Sequence, residues 1–143
     1  MPTITVHAHG PSDVSTAFAY ISDYVNTPNW FYGIKSFVPV TEETRAVGAT
    51  FDAVIHIGAT LKSTVQVVEF VENEVFSLDS IKGIKNASRW TFSEREGGGT
   101  DVNVDFSYSL GSGIAGAALS KLVEPFVAIA VKHTTNTLIA QLN

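Results

Sequence analysis

Alternating apolar and polar residues run through most of the chain and predict a fold built mainly from β-strands. The first strand alternates three apolar with three polar residues, namely Ile4, Val6 and Ala8 against Thr3, Thr5 and His7. The last and clearest strand carries its apolar face on Val102, Val104, Phe106, Tyr108 and Leu110. Between them, the pattern predicts strands over 36–40, 51–57, 61–68, 75–81 and 87–93. Such alternation is typical of strands with one buried face, and the short connections favour antiparallel pairing.

Helical spacing of apolar residues occurs in two places. After the first strand, a short helix is predicted with Ser12 as its N-cap and an apolar face formed by Val14, Ala17, Phe18 and Ile21. A break at 26–28 and an aromatic turn over 29–33 complete a helix hairpin. A much longer helix is predicted over 114–142. Its first apolar stripe contains Ala115, Leu119, Leu122, Phe126, Ile129 and His133, and its second contains Val123, Val127, Val131, Leu138 and Leu142. Because it is so widely apolar at its start, we expect this helix to be largely enclosed.

This order of elements predicts an α+β fold. We expect a curved antiparallel sheet of about seven strands around the long C-terminal helix, with the small helix hairpin after strand 1. Only the C-terminal helix is large enough to cover the apolar face of such a sheet. A length of 143 residues is typical of one domain, so we expect a single domain over residues 1–143.

Composition excludes several kinds of chemistry. The chain has no cysteine, which rules out disulfides, thiolate metal sites and a thiol nucleophile.

Residues 1–10 lack the basic start and apolar core of a signal peptide. The apolar run 114–131 is interrupted by charged residues and a proline, so we do not expect it to span a membrane. These features together predict a cytoplasmic protein.

The charge of the chain argues against polyanionic partners. Its formal net charge is −5, with nine Lys and Arg against fourteen Asp and Glu. Binding to nucleic acid needs a concentrated basic face that neutralises phosphates, whereas these cations are scattered along the sequence. We therefore expect no nucleic-acid partner and, for the same reason, no binding to an anionic membrane surface.

Several short motifs occur in a characteristic order along nearly the whole chain. They are Ile4-x-Val6-x-Ala8, Asn29-Trp30, Val47-Gly48-Ala49-Thr50-Phe51, Gly97-Gly98-Gly99-Thr100 and Leu122-x-x-Pro125. Their order and spacing resemble the START-like (SRPBCC) superfamily, and within it the polyketide cyclase/dehydratase-like branch. The resemblance implies a helix-grip fold with a cavity between the sheet and the C-terminal helix. It leaves function open, because the superfamily includes lipid carriers, hormone receptors, aromatase/cyclases, co-chaperone-like proteins and toxins.

Strand alternation and the first helix stripe converge on a predicted set of inward residues. This set contains Phe51, Ile55, Val65, Trp90, Phe106 and Phe126. Tyr108 and His133 are the polar residues expected to reach the interior, where they either bond each other and the backbone or hold the polar end of a ligand. Weaker candidates for such contacts are Ser63, Ser80, Ser88 and Arg89.

Two further features bear on the predicted cavity. Trp30, Phe31 and Tyr32 are consecutive aromatic residues in a short turn. Either Trp30 plugs the sheet while the others cover its edge, or the segment forms a lid over the cavity mouth. Pro125 lies inside the long helix, where a kink would leave room between the helix and the sheet.

Other candidate sites are weaker. The run Gly111–Gly116 has the glycine spacing of a dinucleotide fingerprint, but no strand follows the helix and position 136 is not acidic. A metal needs three or four ligands held in place, and no carboxylate is spaced to complete a set with His7, His9 and His56. We therefore expect neither a cofactor nor a metal.

Three functions remain open at this point. The first is binding or carrying a small apolar or amphipathic molecule, since the predicted interior is dry and lacks a catalytic constellation. The second is a polyketide cyclase or dehydratase that uses Tyr108 or His133 as an acid or base. The third is an interaction protein with a filled core and no ligand.

Overall fold

In the computed structural model, which describes residues 3–142, seven strands form one curved antiparallel sheet. They are β1 (Thr3–Gly10), β2 (Ile34–Pro39), β3 (Thr50–His56), β4 (Thr60–Val71), β5 (Val75–Gly83), β6 (Lys85–Glu94) and β7 (Thr100–Ser109). Their order in the sheet is β1-β7-β6-β5-β4-β3-β2. Strands β2 to β7 therefore pair with their neighbours in sequence, through short turns except for the longer loop 40–49 between β2 and β3, whereas β1 pairs with the last strand. The predicted sheet is confirmed.

The helices also follow the predicted order and confirm the α+β, helix-grip architecture. They are α1 (Val14–Ile21), a 3-10 turn (Tyr24–Asn26), α2 (Thr27–Trp30) and α3 (Gly113–Gln141). The predicted N-cap of α1 is wrong by one residue. The carboxylate of Asp13 accepts a hydrogen bond from the Thr16 backbone N–H at 2.8 Å, and a carboxylate caps a helix as well as a hydroxyl does.

Helix α3 packs its second apolar stripe on the sheet, and its first stripe faces away. Val123, Leu138 and Leu142 are at most 3% exposed, whereas Leu122 and Ile129 are 54% and 52% exposed. At 3.6 residues per turn, the two stripes lie roughly 130° apart, so a sheet on one side of the helix covers only one of them. The prediction that α3 is largely enclosed is therefore wrong.

The most tightly packed region, which we call the closed end, lies where α1 packs on β6 and the end of α3 packs on β1. Its fully buried side chains are Phe18, Ile21, Thr100, Val102, Leu138 and Leu142. A Cβ atom on Gly10 would overlap the backbone of Leu142, so only glycine permits this approach. The Ser12 N–H donates to the Leu142 carbonyl at 2.9 Å, which anchors the end of α3 to the turn after β1.

Candidate functional site

A first cavity of about 130 Å³ lies between the concave face of the sheet and α3. Its walls are mainly aliphatic and aromatic, and include Ile55, Leu61, Val104, Phe106, Val123 and Val127. From the helix, Ala130 and Thr134 also face this space. Their short side chains do not fill the gap between helix and sheet, which explains why a cavity persists there.

A second cavity of about 70 Å³ lies between the sheet and the segment that contains α1 and α2. Its walls include Tyr24, Trp30, Phe37, Phe51, Val65 and Leu78. The two cavities share six lining residues, namely Phe31, Ile55, Ser63, Asn86, Trp90 and Phe106, so they adjoin. Close-packed interiors leave few voids larger than one water molecule, so two adjoining apolar cavities are an unusual feature of this interior.

The junction of the two cavities carries a small polar cluster. The side-chain amide of Asn86 donates to the Ser63 hydroxyl at 2.8 Å and to the Ile84 carbonyl at 2.9 Å. Its backbone N–H donates to the Ser80 hydroxyl at 2.9 Å. These bonds use both amide hydrogens and hold the side chain in place, while its carbonyl oxygen accepts no hydrogen bond from any described residue. Asn86 therefore offers a positioned acceptor at the junction.

Two further hydroxyl groups, beside this polar cluster, face the cavities. Ser88 lines the second cavity and Tyr108 lines the first. Neither hydroxyl forms a hydrogen bond within the part of the chain that the structure describes. Because a hydroxyl both donates and accepts, these two groups and Asn86 suit a ligand that carries one or two polar atoms on an apolar body.

The aromatic segment Trp30–Tyr32, which begins at the last residue of α2, performs parts of both predicted roles. Trp30 is buried, with its ring centroid 4.9 Å from that of Trp90, and acts as a plug. Phe31 lines both cavities, and Tyr32 lines the first. The Tyr32 backbone N–H donates to the Thr134 hydroxyl at 3.1 Å, so the segment bridges to α3 and covers one side of the first cavity.

Most of the predicted ligand-binding residues line the cavities. Those that do are Trp30, Phe31, Phe51, Ile55, Val65, Trp90, Phe106 and Tyr108. Their roles in binding stay predictions. The indole N–H groups of Trp30 and Trp90 are buried and have no acceptor among the described residues, so each is an unpaired buried donor.

Three predicted positions are wrong. His133 is exposed on the outer side of α3, where its ring contacts Tyr32 at a centroid distance of 5.2 Å. Phe126 is 38% exposed and lies over the β3–β4 turn, near Gly58. Both belong to the helix stripe that faces away from the sheet. Arg89 is exposed and pairs with Glu69 at 3.0 Å instead of reaching the interior.

Asn86 is the site residue that sequence reasoning missed. It lies on β6 four residues before Trp90, and side chains two residues apart share a face of a strand. Because the Trp90 side chain points inward, the side chains of Ser88 and Asn86, two and four residues earlier, point inward as well. The signal was thus present in the alternation, but the predicted strand began at residue 87, and β6 begins at Lys85.

The shifted acid–base groups lie outside both cavities. Hydrogen bonds from Arg89 and Ser77 hold the pKa of Glu69 below its ordinary value. Hydrogen bonds from Thr16 and Ser15 do the same to the pKa of Asp13. Perturbed groups often mark catalytic sites, but these two belong to a surface ion pair and a helix cap.

Solved structures with the same fold come from several bacteria. A protein from Thermus thermophilus is 19% identical with a TM-score of 0.79, covering 99% of this chain and 97% of its own. A START superfamily protein from Mycobacterium smegmatis is 17% identical with a TM-score of 0.73, covering 98% and 96%. At these identities the likeness shows the fold alone. No curated protein sequence matches the chain significantly.

The sequence itself gives a more specific match. The family model described as "Polyketide cyclase / dehydrase and lipid transport" matches residues 1–142. This match agrees with the resemblance carried by the sequence motifs, and it fits a fold in which the sheet and α3 enclose an apolar cavity. The chain belongs to the polyketide cyclase/dehydrase and lipid transport family.

Proposed function

We propose that this protein binds a small, largely apolar molecule in the two adjoining cavities and acts as a carrier or binding protein. The observation that carries the proposal is the pair of adjoining apolar cavities between the sheet and the helices α2 and α3. Together the cavities exceed roughly 150 Å³, a size at which an apolar protein cavity binds benzene. A ligand with one or two rings, or an aliphatic body of similar volume, fits that space.

The polar cluster and the two cavity hydroxyls favour an amphipathic ligand over a pure hydrocarbon. The Asn86 carbonyl oxygen would accept a hydrogen bond from a ligand hydroxyl or amine, and Ser88 and Tyr108 would each donate or accept one. The Asn86 carbonyl oxygen and the Ser88 and Tyr108 hydroxyls bond no described residue, so a ligand that pairs with them gains hydrogen bonds that a pure hydrocarbon cannot make. The expectations of no metal, no cofactor, no nucleic-acid partner and a cytoplasmic location stay predictions.

The test is to fill the first cavity from the helix. Ala130 faces this cavity, so Ala130→Phe should occupy the space that the ligand needs. Ala128, on the same helix, is exposed, so Ala128→Phe adds the same side chain outside the cavity. Titration with the neutral, two-ring fluorescent probe 1-aminonaphthalene should show binding to the parent protein and a loss of about tenfold or more for Ala130→Phe, because overpacking excludes the ring.

Ala128→Phe should bind the probe like the parent protein. Equal binding by all three proteins would place the probe on the surface and refute the proposal. Native mass spectrometry of freshly purified protein adds an independent readout, since a retained ligand appears as extra mass. Absence of both retained mass and probe binding would favour the alternative of an interaction protein with no ligand.

A further inference from the structure

Helix α3 exposes an apolar surface that the sheet does not cover. Its members, which we call the α3 patch, are Ile114, Leu122, Phe126 and Ile129, at 91%, 54%, 38% and 52% exposure. Their spacing of eight, four and three residues places them on one side of the helix. By length and composition α3 is apolar enough to cross a membrane, and only 11% of its most apolar stretch is buried. Monomeric soluble proteins seldom leave such a contiguous surface open without a use.

Two lysines border the α3 patch. Lys121 and Lys132 are eleven residues apart, which is close to three full turns, so both lie along the same edge of the patch. Both are exposed. Glu124 is the acidic residue of α3, and the helical periodicity turns it away from the patch, beyond Lys121. The edge of the patch is therefore positively charged.

The sheet brings further cations to the same end of the molecule. Exposed lysines occur at the beginnings of β2, β4 and β6 and near the end of β5, namely Lys35, Lys62, Lys85 and Lys82. In an antiparallel sheet, the starts of β2, β4 and β6 lie at the same end of the strands as the ends of β3, β5 and β7. β7 therefore reaches this end of the sheet before α3 begins. The β3–β4 turn contacts α3 there, since a Cβ atom on Gly58 would overlap Leu122 and Phe126. No lysine forms an ion pair within residues 3–142.

Seven of the fourteen acidic residues lie at the opposite end. They lie in the turns after β1, β2, β4 and β6, namely Asp13, Glu42, Glu43, Glu72, Glu74, Glu94 and Glu96. The fold thus places the four lysines of the sheet beside the α3 patch, at what we call the basic end, and half of the acidic residues at the other end, which we call the acidic end. At about 0.1 M salt, interactions are screened beyond about 10 Å, so a surface that approaches the basic end responds to the lysines rather than to the net charge of −5.

We propose that the α3 patch and its neighbouring lysines dock this protein on an anionic lipid bilayer. Apolar side chains of an exposed helix face bury themselves among lipid headgroups, and each nearby lysine adds roughly fivefold in affinity for anionic lipid. This reverses the expectation from sequence that an anionic membrane surface is not a partner. A second copy of the chain suits the patch less well, because a two-fold interface would bring the same lysines face to face.

Docking would place the first cavity beside the membrane. The inner face of α3 supplies Val123, Val127 and Ala130 to the wall of that cavity, directly behind the outward patch. Apolar molecules concentrate in bilayers, so a docked protein would meet such ligands where they are most abundant. The inner face is packed on the sheet, so α3 lies on the bilayer and does not cross it.

The experiment is flotation with lipid vesicles, using the full chain with no ligand added, so its outcome is independent of ligand binding. The protein should float with vesicles of phosphatidylcholine plus phosphatidylglycerol at low salt, and much less with phosphatidylcholine alone or at high salt. Leu122→Ser/Ile129→Ser should lower binding by about tenfold or more, because it removes apolar insertion. Lys121→Gln/Lys132→Gln should lower it by on the order of tenfold.

Matched controls test whether the effect belongs to the patch. Val25 and Val47 are 61% and 64% exposed and lie outside the patch, so Val25→Ser/Val47→Ser should float like the parent protein. Arg45→Gln/Arg95→Gln removes the same charge from the acidic end and should have little effect. Failure of the parent protein to float with anionic vesicles, or equal losses in patch and control variants, would overturn the proposal.

Analytical ultracentrifugation separates docking from self-association. The parent protein should sediment as the same species as Leu122→Ser/Ile129→Ser. A parent dimer that becomes a monomer in this variant, without vesicle binding by the parent, would show that a second copy covers the patch and would also overturn the proposal.

Discussion

The two ends of α3 use the same residue types for opposite purposes. Leu138, at the closed end, is completely buried in the core cluster that contains Ala8 and Phe18, whereas Leu122, more than four turns earlier, is 54% exposed. The closed end contains the largest fully buried side chains. The other end, which we call the open end, contains the α3 patch, most lysines and most of the first cavity, whose lining extends to Leu138. The contribution of an apolar residue in α3 therefore depends on what packs against it. A residue covered by the sheet stabilises the fold, whereas an uncovered one is free to contact a ligand or lipid.

The largest expected effect comes from removing side chains at the closed end. Leu138→Ala should lower the free energy of unfolding by about 2–5 kcal/mol, because it deletes buried surface and leaves a void. Leu122→Ala makes the same chemical change at the open end and should cost less than about 1 kcal/mol, as surface substitutions do. Urea unfolding at neutral pH measures both. Equal losses would mean that Leu122 is covered in solution and would remove the contrast between the ends.

The next effect concerns the chemistry of the open end. Tyr108 lines the first cavity, and His133 lies outside it. If the protein is a carrier, Tyr108→Phe should weaken binding of a hydroxyl-bearing aromatic ligand several-fold, since one hydrogen bond is worth about 1 kcal/mol. His133→Gln is the matched control and should bind normally.

Turnover of a polyketide-like substrate distinguishes a carrier from an enzyme. Loss of a general acid or base slows catalysis roughly 10²- to 10⁴-fold with little change in binding. We expect no conversion by the parent protein. Conversion that Tyr108→Phe abolishes with affinity intact would instead support the cyclase or dehydratase alternative.

The smallest effect belongs to the convex surface near the closed end. Hydrogen bonds from Arg89 and Ser77 lower the pKa of Glu69 from its ordinary value of 4.5. A carboxyl with a lowered pKa stabilises the folded state above its unfolded pKa, and this contribution is lost as the pH falls through the folded pKa. Glu69→Gln should therefore destabilise the protein slightly at pH 7.

The difference between Glu69→Gln and the parent protein should shrink as the pH falls below about 4.5. Thermal unfolding from pH 7 to pH 3 measures it. Glu72→Gln is the control, because Glu72 forms no ion pair in the described part of the chain, and it should leave the profile unchanged. A constant difference across this pH range would show that the pair does not stabilise the fold through charge.

The sheet was predictable because strand alternation is a local signal. The alternation of polar neighbours alone predicts that the side chains of Phe51, Val65 and Trp90 point inward. The structure buries all three. Strand ends were less certain. β5 continues to Gly83 and β6 begins at Lys85, since pairing with neighbouring strands extends both beyond their most apolar residues.

The orientation of α3 could not be read from its own sequence. Both of its stripes are apolar, so periodicity shows two faces that could pack on the sheet and does not choose between them. The choice depends on long-range contacts, such as Gly10 against Leu142, that exist only in the folded chain. Phe126 and His133 were misplaced for this reason, and the grouping of lysines was missed because it depends on the ends of antiparallel strands.

The pairing of β1 with β7 has a consequence for folding during synthesis. Thr3 pairs with Ser107 and Gly10 with Thr100, so the first strand made has no partner until the last strand leaves the ribosome. At about 5–20 residues per second, that wait is roughly 5–20 s. Unpaired strand edges are templates for pairing with other chains. The backbone of β1 therefore lacks its partner strand for most of the time that the chain is being translated. We expect β1 to be the segment that a chaperone binds during synthesis.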